Sequence, residues 1–220
     1  MKKELFYKML NKQEELNNLT YPAWREELNL VDWQSAVLAE AGELLESFGY
    51  KWWKKQQRDI ENVKVELIDI LHFLLSDLLY YSHTVKHEAA AMFLEAFKQE
   101  DEFDIINDYM FKDSLLYLVS LYHKSTIEQF STLAKLFKYV GMGFDEVYRA
   151  YFVKNILNEF RQNHGYKSGE YIKMWRVDMG DGLKEYEDNQ IAYMISKTLP
   201  LEEIDSLLYI ELEKIYKGLK

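Results

Sequence analysis

Carboxylates at three-residue spacing occur in two neighbouring segments, Glu40, Glu43 and Glu46 in the first and Glu66 and Asp69 in the second. On a helix this spacing places side chains on successive turns of one face, so each group can converge on a point. Glu66 and Asp69 lie in a stretch where Val65, Leu67, Ile68, Ile70, Leu71, Leu74, Leu75, Leu78 and Leu79 leave almost no polar side, which predicts a helix buried all round. A buried carboxylate without a cationic partner is costly, so this pair calls for a metal ion or a lysine across the core. With no cysteine and five histidines in the chain, hard oxygen ligands suit Mg²⁺ or Mn²⁺ better than zinc. The Glu40 group taken alone reads as a solvated helix face or as acids that meet a lysine. A di-iron centre would need Glu-x-x-His on two helices, whereas here Asp69 precedes His72 and Arg161 precedes His164.

A second constellation is basic. Lys154, Asn158 and Arg161 follow i, i+4, i+7 spacing and share one stripe, opposite Phe152, Val153, Ile156, Leu157 and Phe160. The loop from Gly165 to Gly169 then leads to Lys173. A phosphate bound here would lie near a helix C-terminus, where the dipole opposes it, so side-chain cations would have to hold it. The bland reading is a solvated basic stripe. Gly141-Met142-Gly143 lacks the lysine and later glycine of a phosphate loop, and no Gly-x-Ser-x-Gly element is present.

These residues must be positioned by helices. Only Pro22 and Pro200 occur, both near the ends, which favours an all-α fold, and the 48% apolar content is ample for a core. Leu5, Phe6, Met9, Leu10 and Leu16 predict a first helix that carries Gln13 and Asn17. A second is expected from about Leu30 to Phe48, closed by Gly49, and a third from about Ile60 to His83. Thr84 to Val140 reads as two or three helices that could form a small lobe inserted within a single domain spanning 1–220. Asp145 is expected to cap a helix from Glu146 to His164, with Gly165 just past its end. The tail from Val177 is charged and amphipathic, with a last helix from about Leu201 to Leu219.

A net charge of −10, from 37 acidic and 27 basic residues, disfavours nucleic acid as a partner. An anionic substrate would need the field reversed locally, which carboxylate-held divalent cations would do. The most apolar run, Leu67 to Tyr81, is too short for a membrane and is interrupted by Asp69, His72 and Asp77. The polar start, Met1-Lys2-Lys3-Glu4, carries no secretion signal, so a soluble, cytoplasmic protein is expected.

Glu40-x-x-Glu43 followed by Glu66-x-x-Asp69 resembles the metal-binding signature of the all-α nucleoside triphosphate pyrophosphatases, the superfamily of the MazG-like enzymes. Its companions resemble the dimeric dUTPases in particular. They are Gln13-x-x-Leu16-Asn17, Glu40-Ala-Gly-Glu-Leu-Leu-Glu-Ser47, Lys51-Trp-Trp-Lys54, Glu66-Leu-Ile-Asp-Ile-Leu-His-Phe73 and the patterned run from Tyr151 to Trp175. The resemblance implies a helical bundle with an extra helical lobe, acting as a homodimer. It would cut dUTP, and dUDP as a further substrate, to dUMP by attack of a metal-activated water on the α-phosphorus. Glu40, Glu43, Glu66 and Asp69 would bind two or three Mg²⁺ ions, with Mn²⁺ as a substitute, and Glu40 would also activate the water. Gln13, Asn17 and Trp52 would face the uracil, and His72 and Phe73 the deoxyribose. Lys154, Asn158, Arg161, Tyr166 and Lys173 would hold the phosphates. The choice of Glu40/Glu43 over Glu43/Glu46 rests on the family, because the spacing is the same. Two rivals stand beside this reading: a house-cleaning pyrophosphatase for dCTP or another non-standard nucleotide, and a helical nucleotide-binding module without catalysis.

Overall fold

A computed structural model describes residues 2–27, 32–98, 108–180 and 182–219. Its helices are α1 (Lys2–Thr20), α2 (Trp33–Phe48), α3 (Ile60–Leu78), α4 (His83–Lys98), α5 (Asp108–Ser120), α6 (Thr126–Tyr139), α7 (Phe144–Asn163), α8 (Asp188–Ser196) and α9 (Ile204–Lys217). The remaining regular structure is one antiparallel hairpin, β1 (Met174–Asp178) with β2 (Leu183–Glu187), and a 3₁₀ turn at Leu201–Glu203. The fold is all-α.

The α2–α3 pair is built by its caps. Asp32 accepts from the Ser35 amide at 2.9 Å and starts α2; the expected start at Leu30 lies outside the described residues. Gly49 closes α2 with φ +75°, a left-handed conformation that a side chain would strain. Asp59 caps α3 through the Asn62 amide at 3.0 Å. The two helices then run antiparallel, with a register that can be read from their contacts. Trp33 stacks on Phe73 with ring centres 6.1 Å apart, Gln34 reaches Asp77 at 2.9 Å, and Ser47 accepts from Asn62 at 2.6 Å.

Three boundaries differ from the periodicity. The third helix ends at Leu78 instead of His83, because the chain turns through Tyr81 before α4 begins at His83. The seventh starts at Phe144, two residues before the start that a cap at Asp145 would give. Its cap is Gly143, whose amide donates to the Glu146 carboxylate at 2.9 Å, so the Glu146 side chain does the capping that Asp145 was expected to do. The tail carries the hairpin and α8, where only a charged amphipathic stretch was expected. Its turn is organised by Asp178, which accepts from the amides of Gly180 and Gly182 at 2.8 and 3.0 Å.

The segment 84–140 supplies most of α4, α5 and α6. α4 packs along α6 and touches α1, while α6 leans on α3 and α5 reaches α2. Phe93 of α4 sits at the centre of this packing, wholly buried, with the rings of Phe6 and Phe130 at 5.6 and 5.8 Å and Phe97 at 5.2 Å. On the other side α7 lies against α1, where the buried Tyr151 hydroxyl donates to the Met9 carbonyl at 2.8 Å. α8 and α9 close over the far end of α7 through Phe160, Trp175 and Tyr216. Because Phe93 joins α4 to α1 and α6, Phe93→Ala should cost about 3–5 kcal/mol. Urea denaturation should show the loss as a lower midpoint; a cost under about 1 kcal/mol would mean that the ring is dispensable.

Candidate active site

The α2–α3 register brings acids face to face. Carboxylate oxygens of Glu40, Glu43 and Glu66 all lie within 4.8 Å of one another. Asn62, one turn before Glu66, donates to its Oε1 at 2.8 Å and to Ser47 at 2.6 Å, so Glu66 is held from below. Asp69, one turn further along α3, accepts from Lys154 of α7 at 2.9 Å. Glu46 turns away from this group to Lys51 and to Gln56, whose amide donates at 3.2 Å. The geometry thus separates Glu46 from Glu43, which their spacing could not do.

Four carboxylates with one lysine among them are electrostatically short of positive charge. Burial, then the charges of Asp69 and Glu66, push the Glu40 carboxyl up to about 7 from an ordinary value near 4.5. A hydrogen bond between the two carboxyls raises Glu40 and lowers Glu66. Burial also raises Glu66 and Asp69, with Lys154 opposing the rise at Asp69. The donors are hard oxygens with no sulfur or imidazole among them, and their crowding is relieved by a divalent cation. They therefore fit Mg²⁺ or Mn²⁺.

Beyond Asp69 the sequence-predicted residues fall into separate groups. Gln13, Asn17 and His72 form one buried network. Gln13 donates to Asn17 Oδ1 at 2.9 Å, and its own Oε1 lies 2.7 Å from His72 Nδ1 and 3.1 Å from the Tyr151 hydroxyl. Ser76 also donates to Asn17 Oδ1 at 3.2 Å. Two atoms of this network, Asn17 Nδ2 and His72 Nε2, are buried and have no hydrogen-bond partner among the described residues. His72 stacks on Tyr151 at 4.5 Å, and burial followed by the nearby Lys154 charge lowers its pKa to about 3, so the ring is neutral. Phe73 is half-buried against Trp33, on the turn of α3 beyond Asp69. Trp52 is 90% exposed on the loop after Gly49, edge-on to Trp53, and does not join the network.

On α7, Asn158 is half-buried and has no hydrogen-bond partner among the described residues. Arg161 makes a two-pronged contact with the wholly buried Asp188, both bonds 2.8 Å, and its guanidinium lies 5.9 Å from the centre of the half-exposed Tyr166 ring. Lys173 is exposed. Sequence reasoning missed Asn62, Ser76, Trp33 and Asp188. Asn62 was within reach, since it lies four residues before Glu66 on the same face. Asp188 had no local signal.

An all-α fold whose antiparallel helices gather carboxylates opposite a basic helix is that of the all-α nucleoside triphosphate pyrophosphatases, the MazG-like superfamily. Within that class the chain belongs to the dUTPase family: the family model described as dUTPase, of the dimeric all-α type, matches residues 5–166. No curated protein matches the chain. The matched span takes in α1, the acidic α2–α3 pair and α7, and ends before Lys173 and Asp188. No helix among the described residues is long and apolar enough to cross a membrane.

The neutral His72 makes a pH prediction. Its folded pKa of about 3 lies below the ordinary 6.5, so on acidification the unfolded chain takes the proton first. Its contribution is complete above pH 6.5 and is lost as pH falls from there towards 3. The stability difference between the protein and His72→Gln should therefore shrink over that window in paired urea titrations. A difference independent of pH would mean that the ring is not buried as a neutral group.

Proposed function

We propose that this protein is a Mg²⁺-dependent dUTP pyrophosphatase that cuts dUTP, and also dUDP, at the α-phosphorus to release dUMP. The observation that carries the reading is the convergence of Glu40, Glu43 and Glu66 beside Asp69 and Lys154, in a chain of the dUTPase family. Glu40, Glu43, Glu66 and Asp69 would hold the ions. When bound, Mg²⁺ neutralises phosphate charge and makes a water a better nucleophile at neutral pH. Glu40 would take that water's proton, a role that its position among the other carboxylates supports. Lys154, held by Asp69, sits where the phosphate chain would arrive, with Asn158 and Arg161 further along the same stripe.

Uracil presents two carbonyl acceptors on either side of an N–H. The unpartnered Asn17 Nδ2 is a buried donor of the kind a carbonyl would satisfy. The network around it is closed, so base entry requires Gln13 and Asn17 to part. Phe73 is the residue for the sugar: an aromatic edge at C2′ offers an added hydroxyl no partner. Trp52 would reach a base only through loop movement or from a second protomer, and we take the working enzyme to be a cytoplasmic homodimer.

Pyrophosphate release should be greatest for dUTP among the eight common nucleoside triphosphates, with UTP disfavoured by about tenfold to a hundredfold, and should need Mg²⁺. Glu40→Gln and Asp69→Asn should each leave less than about a tenth of the activity with an unchanged circular dichroism spectrum. Preference for dCTP would transfer the assignment to a house-cleaning enzyme, and full activity in both variants would remove the metal site.

The raised Glu40 carboxyl gives a second test. Its folded value of about 7 exceeds the ordinary 4.5, so the metal-free native state holds a proton that the unfolded chain has lost. Stability from this group is present below pH 4.5 and is lost as pH rises through 7. Mg²⁺ competes with that proton, so saturating Mg²⁺ should raise the melting temperature more at pH 8 than at pH 5.5. An equal rise at both pH values would place the cation elsewhere.

A further inference from the structure

We infer that Asp188 is a positioning residue for the phosphate site, acting through Arg161, and that the segment after residue 166 thereby completes a site whose other parts lie within the family-matched region. The inference rests on the pyrophosphatase reading and adds to it a residue outside the matched span.

Asp188 opens α8 directly after β2 and has no exposed surface. Its carboxylate accepts four hydrogen bonds. Arg161 Nε and the Tyr171 hydroxyl donate to Oδ2, and Arg161 Nη2 and the Asn189 amide donate to Oδ1, each at 2.8 Å. Its own amide donates to the Lys173 carbonyl at 3.0 Å, which ties the start of α8 to the strand leading into β1. A carboxylate this well satisfied holds a guanidinium at a fixed angle.

The contact uses one edge of Arg161. Nε–H and one N–H of Nη2 go to Asp188, which leaves both N–H groups of Nη1 and the second of Nη2. Among the described residues nothing else accepts from Arg161, and its side chain keeps 15% of its surface exposed, so that second edge is open. Arg161 lies two turns along α7 from Lys154, which is paired with Asp69, and its charge is among those that oppose the rise burial causes at Asp69. The free edge thus belongs to the same field as the carboxylate cluster and is complementary to two oxygens of a phosphate. A merely structural latch would need the Asp188 contact but no open edge near Asp69.

The test measures binding of inorganic pyrophosphate with Mg²⁺ by calorimetry, together with KM and kcat for dUTP and thermal melting. Asp188→Ala and Asp188→Asn should each weaken pyrophosphate binding and raise KM by about tenfold, with the Mg²⁺-induced rise in melting temperature unchanged. In an Arg161→Ala background the same substitutions should add less than about twofold, because the residue they act through is gone. Tyr171→Phe, which removes one of the four bonds, should fall between wild type and Asp188→Asn; it and Asp188→Asn decide the matter if Asp188→Ala does not fold. Melting temperatures that fall while pyrophosphate affinity and KM stay within about twofold of wild type would overturn the inference and leave a latch. Additive losses in the Arg161→Ala background would also overturn it. If the protein binds pyrophosphate and loses that binding in the Asp188 variants, yet does not cut dUTP, the substrate reading fails and the positioning role stands.

Discussion

The antiparallel register of α2 on α3 is the constraint on which the rest depends. It is fixed at one end by Trp33 on Phe73 and Gln34 to Asp77, and at the other by Ser47 with Asn62 and the cap at Asp59. Between these ends Asn62 holds Glu66 from below, but the mutual repulsion of Glu40, Glu43 and Glu66 opposes their being brought together. The apolar surface of α3 has to outweigh that repulsion. Val63, Leu67, Ile70, Leu71, Leu74 and Leu75 are all fully buried, and each buried aliphatic side chain contributes about 1.5–3 kcal/mol. The acids are therefore held in a place they would not choose, which makes the cluster receptive to a cation.

The basic helix α7 answers the acids from the opposite side, but only in part. Lys154 neutralises Asp69, and Arg161 is already neutralised by Asp188, so neither cancels the three glutamates. In the proposed site a phosphate chain would meet these two cations, each already backed by a carboxylate. Such backing lowers the attraction for an anion but fixes the direction of the donors, which favours orientation over raw affinity. On that proposal, the further positive charge a polyphosphate requires would come from cations held by the glutamates.

Much of this was legible because it is local. Glu66 and Asp69 announce themselves by spacing and by the apolar run around them, whereas in the sequence only the family resemblance selects Glu40 and Glu43 over Glu46, and Gly49 and Gly165 mark helix ends. What was not legible depends on contacts distant in sequence or on competition between neighbours. Glu46 has the same spacing as Glu40, and only the chain reversal at Gly49, which brings Lys51 and Gln56 back to it, takes it out of the cluster. Asp145 is a good capping residue, yet the helix starts two residues earlier, where Gly143 is the cap and its amide donates to the Glu146 side chain. The run of leucines to Leu79 continues the helical period past the point where the chain turns, because Tyr80 packs against Trp24 and donates to its carbonyl at 2.7 Å. Periodicity reports which face is buried and does not report where a turn draws the backbone away.

The same distinction explains the network at Gln13, Asn17 and His72. Sequence spacing puts Gln13 and Asn17 one turn apart on α1, and their hydrogen bond follows. Their link to His72, Ser76 and Tyr151 joins three helices that no local rule connects. A network of this kind in the middle of a helical core carries a desolvation cost wherever an atom lacks a partner, and here Asn17 Nδ2 and His72 Nε2 both do. Apolar residues of similar size would pack there at lower cost. That cost is offset only if something else satisfies the two atoms, and the buried amides lie one helix away from the Lys154–Asp69 pair, since His72 follows Asp69 on α3 and stacks on Tyr151, which precedes Lys154 on α7. A single elongated ligand, with a flat polar ring at one end and anionic groups at the other, would meet both.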